Sequence, residues 1–169
     1  MASWGFVALG TPASQGSKKA YLDKAGRVRM VESSPALHPW REAVIVQAPP
    51  GPCLDGPVAV YCVFTLRRPT GARKRDVTPC KLPDLDKLMR GAFDAITQAG
   101  LVEDDARIAE VVRLAKVWPG YDDDALDTPG MLIAAAEMDP RCGWRGELMA
   151  KVDVTMSRYR LDRVNRITA

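Results

Sequence analysis

Residues 81–108, KLPDLDKLMRGAFDAITQAGLVEDDARI, constrain the fold more than any other stretch of the chain. Leu82 precedes a proline and is pushed into an extended conformation, so a helix starts near Asp84. From there Leu85, Leu88, Met89, Ala92, Phe93, Ile96 and Ala99 recur close to the i, i+3, i+4, i+7 spacing of an amphipathic helix. Gly100 ends it as a C-terminal stop. Gly91 lies inside it at a cost of about 1 kcal/mol relative to alanine, which implies close packing against another element. Each end of this helix carries a pair of acids: Asp84 and Asp86 at its start, Asp104 and Asp105 beyond its stop.

The flanking residues place the helix between strands. Residues 57–67 (PVAVYCVFTLR) are β-branched and aromatic and predict a strand. Residues 107–118 predict another, because a turn precedes them and Pro119 follows. Residues 4–10 (WGFVALG) predict a first strand, with Trp4 in the core. Pro39 suits the first turn of an earlier helix that has His38 at its cap, Trp40 in the core, and an end at about Ala48 before PPGP. Residues 131–138 (MLIAAAEM) are ambiguous, since the alanines favour helix and the preceding loop favours strand; they are read as a strand. Residues 11–30 have loop composition and lack the G-K-[ST] ending of a P-loop. The expected fold is α/β (α+β): one compact domain over 1–138, a mixed sheet with two helices in the order β-α-β-α-β-β. A basic extension over 139–169 follows, with some helical or strand character.

Charge distribution says more than net charge, which is +3. Residues 67–81 carry six cations and one acid, and residues 141–166 seven cations and three acids. A basic run leading into acidic pairs is what metal-assisted phosphodiester chemistry needs: oxygen ligands for the ion, cations for the backbone. Arg67, Arg68, Arg73, Lys74, Arg75, Lys81 and Lys87, with Lys18 and Lys19 nearer the N-terminus, are the candidate nucleic-acid contacts. The arginines of the extension either add phosphate contacts or solvate a helix. Cys53, Cys62, Cys80 and Cys142 form no C-x-x-C, and the single histidine, His38, has no zinc partner at a recognised spacing. Reduced thiols in a cytoplasmic protein are expected. No apolar run approaches the roughly 18–20 residues that span a bilayer. The N-terminus lacks a basic region ahead of its apolar stretch and reads as a strand, not a signal peptide.

On a regular helix, Asp84 and Asp86 would point about 200° apart. With Asp84 at a non-helical N-cap and Asp86 in the first turn, their side chains can converge. Asp104 and Asp105 are a harder case. Fifteen residues of helix put them roughly 22 Å from Asp84 and Asp86. A crossed packing, a long return loop or a second subunit could each bring them back. Without such an arrangement, Asp84 is a helix cap and Asp104–Asp105 a turn.

The pattern P-D-L-D-x-L-x-x-x-x-x-D-A-[IL]-x-x-A-G-x-x-x-D-D, over residues 83–105, resembles the RusA-type endodeoxyribonucleases, which are Holliday-junction resolvases often encoded by phages. The opening GTPASQGSKK (10–19) and the first helix with Trp40 are similar too, and the likeness covers roughly residues 4–138. The resemblance implies a homodimer on a four-way DNA junction making paired symmetric nicks, in recombination and repair. It implies Mg²⁺ as cofactor, with Mn²⁺ as a substitute. It puts the catalytic and metal-binding aspartates on Asp84, Asp86 and Asp105, with Asp104 as a further metal candidate. The family's lysine four residues after the second aspartate is Arg90 here, and Lys87 stands where asparagine is common. Arg90 keeps the charge but is a poor proton donor. A non-catalytic junction binder is therefore the alternative reading. A third is an unrelated binding module whose acids are only caps and turns.

Overall fold

In a computed structural model, residues 1–16, 18–32, 34–141 and 143–168 are described, with side chains for all of these except 18, 19, 29–32, 167 and 168. The sheet is built around β4 (Val58–Thr65), in which every residue is buried. It needs to be apolar on both faces because it lies inside the sheet with helices on either side. The other strands of this sheet are β1 (Ser3–Leu9), β5 (Ile108–Val117) and β6 (Gly130–Glu137), in the order β1-β6-β4-β5. β4 and β5 run parallel, and the β1–β6 and β4–β6 pairs are antiparallel. The mixed sheet matches expectation, and the ambiguity over 131–138 resolves as strand. Tertiary pairing overrides helix propensity there: Ala134, Ala135 and Ala136 are hydrogen-bonded between β1 and β4 and completely buried.

Helix α1 (Leu37–Gln47) begins two residues before Pro39. Its N-cap is Ala36, so His38 is not the cap; it lies exposed within the first turn. Helix α2 (Leu85–Gln98) follows the sequence pattern closely, with Leu88, Ala92, Phe93, Ala95 and Ile96 buried. Gly100 has φ +71. Its N–H bonds the carbonyl of Thr97, and the Leu101 N–H bonds that of Ile96, so the orphan carbonyls of the last turn are satisfied. A Cβ at Gly91 would stand 3.1 Å from Leu37 Cδ1 and 3.3 Å from the Ala13 carbonyl, which is why this helix tolerates a glycine there. Trp4 and Trp40 are core residues, and the Trp4 indole N–H donates to the Leu101 carbonyl at 3.0 Å.

One region differs from expectation, and the extension takes the helical of its two expected forms. Within 11–30, read as loop, lies β2 (Lys18–Leu22), which pairs with β3 (Val28–Glu32) as a separate two-stranded ribbon. Its turn is closed by Asp23, whose carboxylate accepts from the backbone N–H groups of Ala25 and Arg27, with Gly26 at φ +73. The extension forms a third helix, α3 (Trp144–Thr168), so the sheet carries three helices and not two. α1 and α2 cover one face; α3 covers the other, burying Leu148, Val152 and Met156 against Tyr61, Val63, Leu132 and Ala134. Gly5 permits the approach, since a Cβ there would stand 2.6 Å from Thr155 Oγ1. Cys142 lies outside the described residues. Cys62 is fully buried, and burial pushes its thiol pKa up.

On the α3 face the loop after β5 is braced by charge. Arg113 pairs with Asp122 and Asp124, and the Tyr61 hydroxyl donates to Asp124. Burial, reinforced by that hydrogen bond to an anion, pushes the Tyr61 hydroxyl up to about 12. The unfolded chain ionises tyrosine near 10. The stability from this raised pKa is therefore fully present below pH 10 and lost as pH rises toward 12. Tyr61→Phe is expected to flatten this part of the alkaline stability curve, measured by urea unfolding between pH 9 and 12. An unchanged slope would rule out Tyr61 as its source.

Candidate active site

The start of α2 gathers what the sequence singled out. Asp84 is the N-cap, extended at φ −69 and ψ 138, and its carbonyl accepts the first helical hydrogen bond, from Leu88. Its side chain makes no cap hydrogen bond. The carboxylate instead meets Lys87 Nζ at 2.7 Å. Asp86 lies in the first turn, 61% exposed, and faces Arg90 at 3.8 Å. Asp94, the other acid that Arg90 could reach along the helix, is taken by Arg41 of α1. The Lys87 ammonium pKa is raised, first by the hydrogen bond to Asp84, then by the charge of Asp84 and by that of Asp86. Asp84 and Asp86 thus stand two residues apart at the start of one helix, each with a cation of the next turn beside it.

The approach to this patch is fixed from β5. Lys116 Nζ donates to the carbonyls of Lys81 and Pro83, at 2.7 and 2.9 Å, and so pins the segment that leads into Asp84. The Gln15 N–H bonds the Lys87 carbonyl, which ties the segment after β1 to the same turn. Sequence reasoning missed Lys116, because a single lysine near the end of an apolar strand ordinarily means a solvated edge. Beside the patch opens a cavity of about 460 Å³, lined by Pro12, Leu66, Arg67, Pro83 and Trp118 among others.

The cations of the loop before α2 do different things. Arg68 is turned inward: it donates to the carbonyls of Arg73 and Asp76 and lies over the rings of Trp118 and Tyr121. Arg73 pairs with Asp76, which also caps the Arg73 N–H. Arg67, Lys74, Arg75 and Lys81 are exposed. The side chains of Lys18 and Lys19 lie outside the described residues, and their backbone forms the start of β2.

Asp104 and Asp105 are elsewhere. Asp104 caps a single 3-10 turn (Asp105–Arg107), accepting from the Ala106 N–H at 2.8 Å, and Asp105 is exposed on that turn. The turn leads into the first residue of β5, which pairs with the first residue of β4. Asp84 follows the other end of β4. The parallel pairing therefore sets the two acidic pairs at opposite ends of α2, about 21 Å apart for fourteen helical residues. Among the described residues no three His, Cys, Asp or Glu side chains stand together as a metal-holding group. One chain thus presents Asp84 and Asp86 as a two-carboxylate patch, with Asp105 out of its reach.

Two carboxylates with free access suit a hard cation that takes its remaining oxygens from water and a phosphate. No helix is long and apolar enough among the described residues to cross a membrane. Among known families, the model described as "Endodeoxyribonuclease RusA" matches residues 10–122. No curated protein matches the chain.

Proposed function

Because this chain belongs to the RusA family of endodeoxyribonucleases, which resolve Holliday junctions, we propose that it cuts four-way DNA junctions by paired symmetric nicks, as a homodimer dependent on Mg²⁺. The observation that carries this reading is the pair of Asp84 and Asp86 at the start of α2, with Lys87 and Arg90 within reach.

Asp84 and Asp86 would hold the ion, and Mn²⁺ would serve in its place. When bound, the ion supplies Lewis-acid polarisation of a phosphate and a water of lowered pKa. The rest falls to the chain. Lys87 offsets the charge of Asp84 and so lessens the repulsion between the acidic pair and DNA. Arg90 acts electrostatically, since a guanidinium does not give up its proton. Lys116 holds the segment entering Asp84 in place. Arg67, Lys74, Arg75 and Lys81, exposed before α2, contact the DNA backbone. Arg73, paired with Asp76, and Arg68, held among backbone carbonyls and rings, shape the loop that presents them. Asp105, with Asp104 beside it, completes the site from the second protomer. The setting is the cytoplasm of a bacterial or phage-infected cell, in recombination and repair.

The test is cleavage of a labelled synthetic four-way junction, with Mg²⁺ and with EDTA, beside a linear duplex of the same sequence. Nicks at symmetric positions, in the junction alone and absent with EDTA or in Asp86→Asn, are expected. Tight junction binding with no nicking would turn the assignment to the alternative, a non-catalytic junction binder. Arg90→Lys would then show whether the guanidinium is what blocks turnover. Equal cutting of the linear duplex would sink junction selectivity.

A further inference from the structure

Helix α3 has a second row, apolar apart from one serine, on the side away from the sheet. Its buried side is Leu148, Val152, Thr155 and Met156. On the opposite side lie Ala150, Val154, Ser157, Leu161 and Val164, at successive spacings of four, three, four and three residues. All are exposed: Val154 by 46%, Leu161 by 63% and Val164 by 57%. A surface helix ordinarily turns charge outward. This spacing is that of a coiled-coil seam, in which each position packs between residues of a facing helix. The row stops at Glu147, one step toward the N-terminus, which accepts a hydrogen bond from Ser3. Residues 160–166 are exposed, and this end of the helix is tied to the loop after β5 by Arg160, which donates to the Asp123 carbonyl, and by Arg163, which pairs with Asp127, both away from the row.

We propose that a second copy of this chain docks on this row, the two α3 helices packing in parallel. The argument for a second copy is charge. Asp153 flanks the row on one side and Arg158 on the other, and both are exposed. Neither has a partner within the chain among the described residues. In a parallel pair in register, the residue before one seam position faces the residue five further along the other helix. Asp153 then meets the second copy's Arg158, and the symmetry makes this happen twice. The neighbouring pair, residues 146 and 151, sets Gly146 against Lys151, with no repulsion. An antiparallel pair would set Lys151 against Arg158, like against like. The contact is short, about 21 Å of helix axis from Ala150 to Val164. It belongs with weaker, concentration-dependent interfaces near 1,000 Å² in total.

This contact is separate from any that completes the acidic site. Asp84 and Asp86 begin α2, and α2 packs on the other face of the sheet from α3. The α3 row therefore joins copies without touching the chemistry. It goes beyond the nuclease reading, and its test reads mass, not cleavage, so each can fail without the other.

The experiment is sedimentation equilibrium of the full chain over a concentration series, with Leu161→Lys, Asp153→Arg and the double swap Asp153→Arg/Arg158→Asp. Unfolding curves serve as a folding control, since all three positions are exposed. Leu161→Lys and Asp153→Arg are expected to weaken association at least tenfold and to halve the assembly mass, with the double swap restoring it. Unchanged mass in Leu161→Lys would overturn the seam. Loss in Asp153→Arg without recovery in the double swap would overturn the parallel register.

Discussion

Truncation after residue 138 is expected to give a chain that does not fold. Without α3 the sheet has one bare face, formed by Ala59, Tyr61, Val63, Leu132, Ala134 and Ala136. Leu148, Val152 and Met156 each contribute about 1.5–3 kcal/mol by leaving water, and the side chains they cover contribute comparably. The sum rivals the whole stability of a domain, about 5–15 kcal/mol. The family match ends at residue 122, before β6, whereas truncation after 138 keeps all four strands of the sheet and removes only the layer that the second core requires. The shortened chain should show no cooperative melting and should aggregate. A cooperative transition close to that of the full chain would make 138 a true domain boundary and reduce α3 to an appendage. Leu148→Ala, expected to cost about 2–5 kcal/mol, gives the same information in graded form.

Mixing two inactive proteins is expected to restore nicking. Asp86→Asn and Asp105→Asn each remove a carboxylate from the proposed site, and each should lower cleavage on the order of a thousandfold, about 4 kcal/mol. If Asp105 serves the site of the other protomer, a mixed dimer has one site with both changes and one with neither. Co-refolded in equal amounts, the two should recover about a quarter of native nicking, since half the dimers are mixed and each keeps one of two sites. The product should be a junction nicked on a single strand and not a resolved one. No recovery would mean that Asp105 acts in its own chain or not at all. The basis is distance: α2 alone separates the two acidic pairs by about 21 Å.

Most of the sheet and the candidate patch were legible in the sequence because local signals agreed with tertiary packing. Pro83, the apolar spacing after it and Gly100 fixed α2 and brought Asp84 and Asp86 to its start, and the β-branched run at 58–65 marked the central strand. Where local and tertiary signals diverge, reading failed. The row in α3 that faces the sheet and the row that faces solvent are both apolar, so no single stripe announced a helix. The ribbon of β2 and β3 is short and rich in lysine and arginine, so its residues look like loop until the turn at Asp23 is seen. Lys116 and Arg68 act through backbone carbonyls brought close only by folding, which no spacing in the sequence records. Helix length suggests the separation of the acidic pairs, but a crossed packing or a long return loop could have undone it, and it is the parallel pairing of β4 with β5 that keeps them apart.

The pairing of β1 with β6 has a consequence for how the chain is made. Ser3 lies opposite Ala136 and Leu9 opposite Gly130, so β1 has no partner in the sheet until β6 emerges. β4, buried along its whole length, also waits for β6, and α3 comes later still. The sheet therefore closes only once β6 has emerged, and its pairings are of the long-range kind that slow folding. Until then an eight-residue apolar strand is exposed on a growing chain. The nascent protein is most vulnerable to misassociation between the emergence of β4 and that of β6.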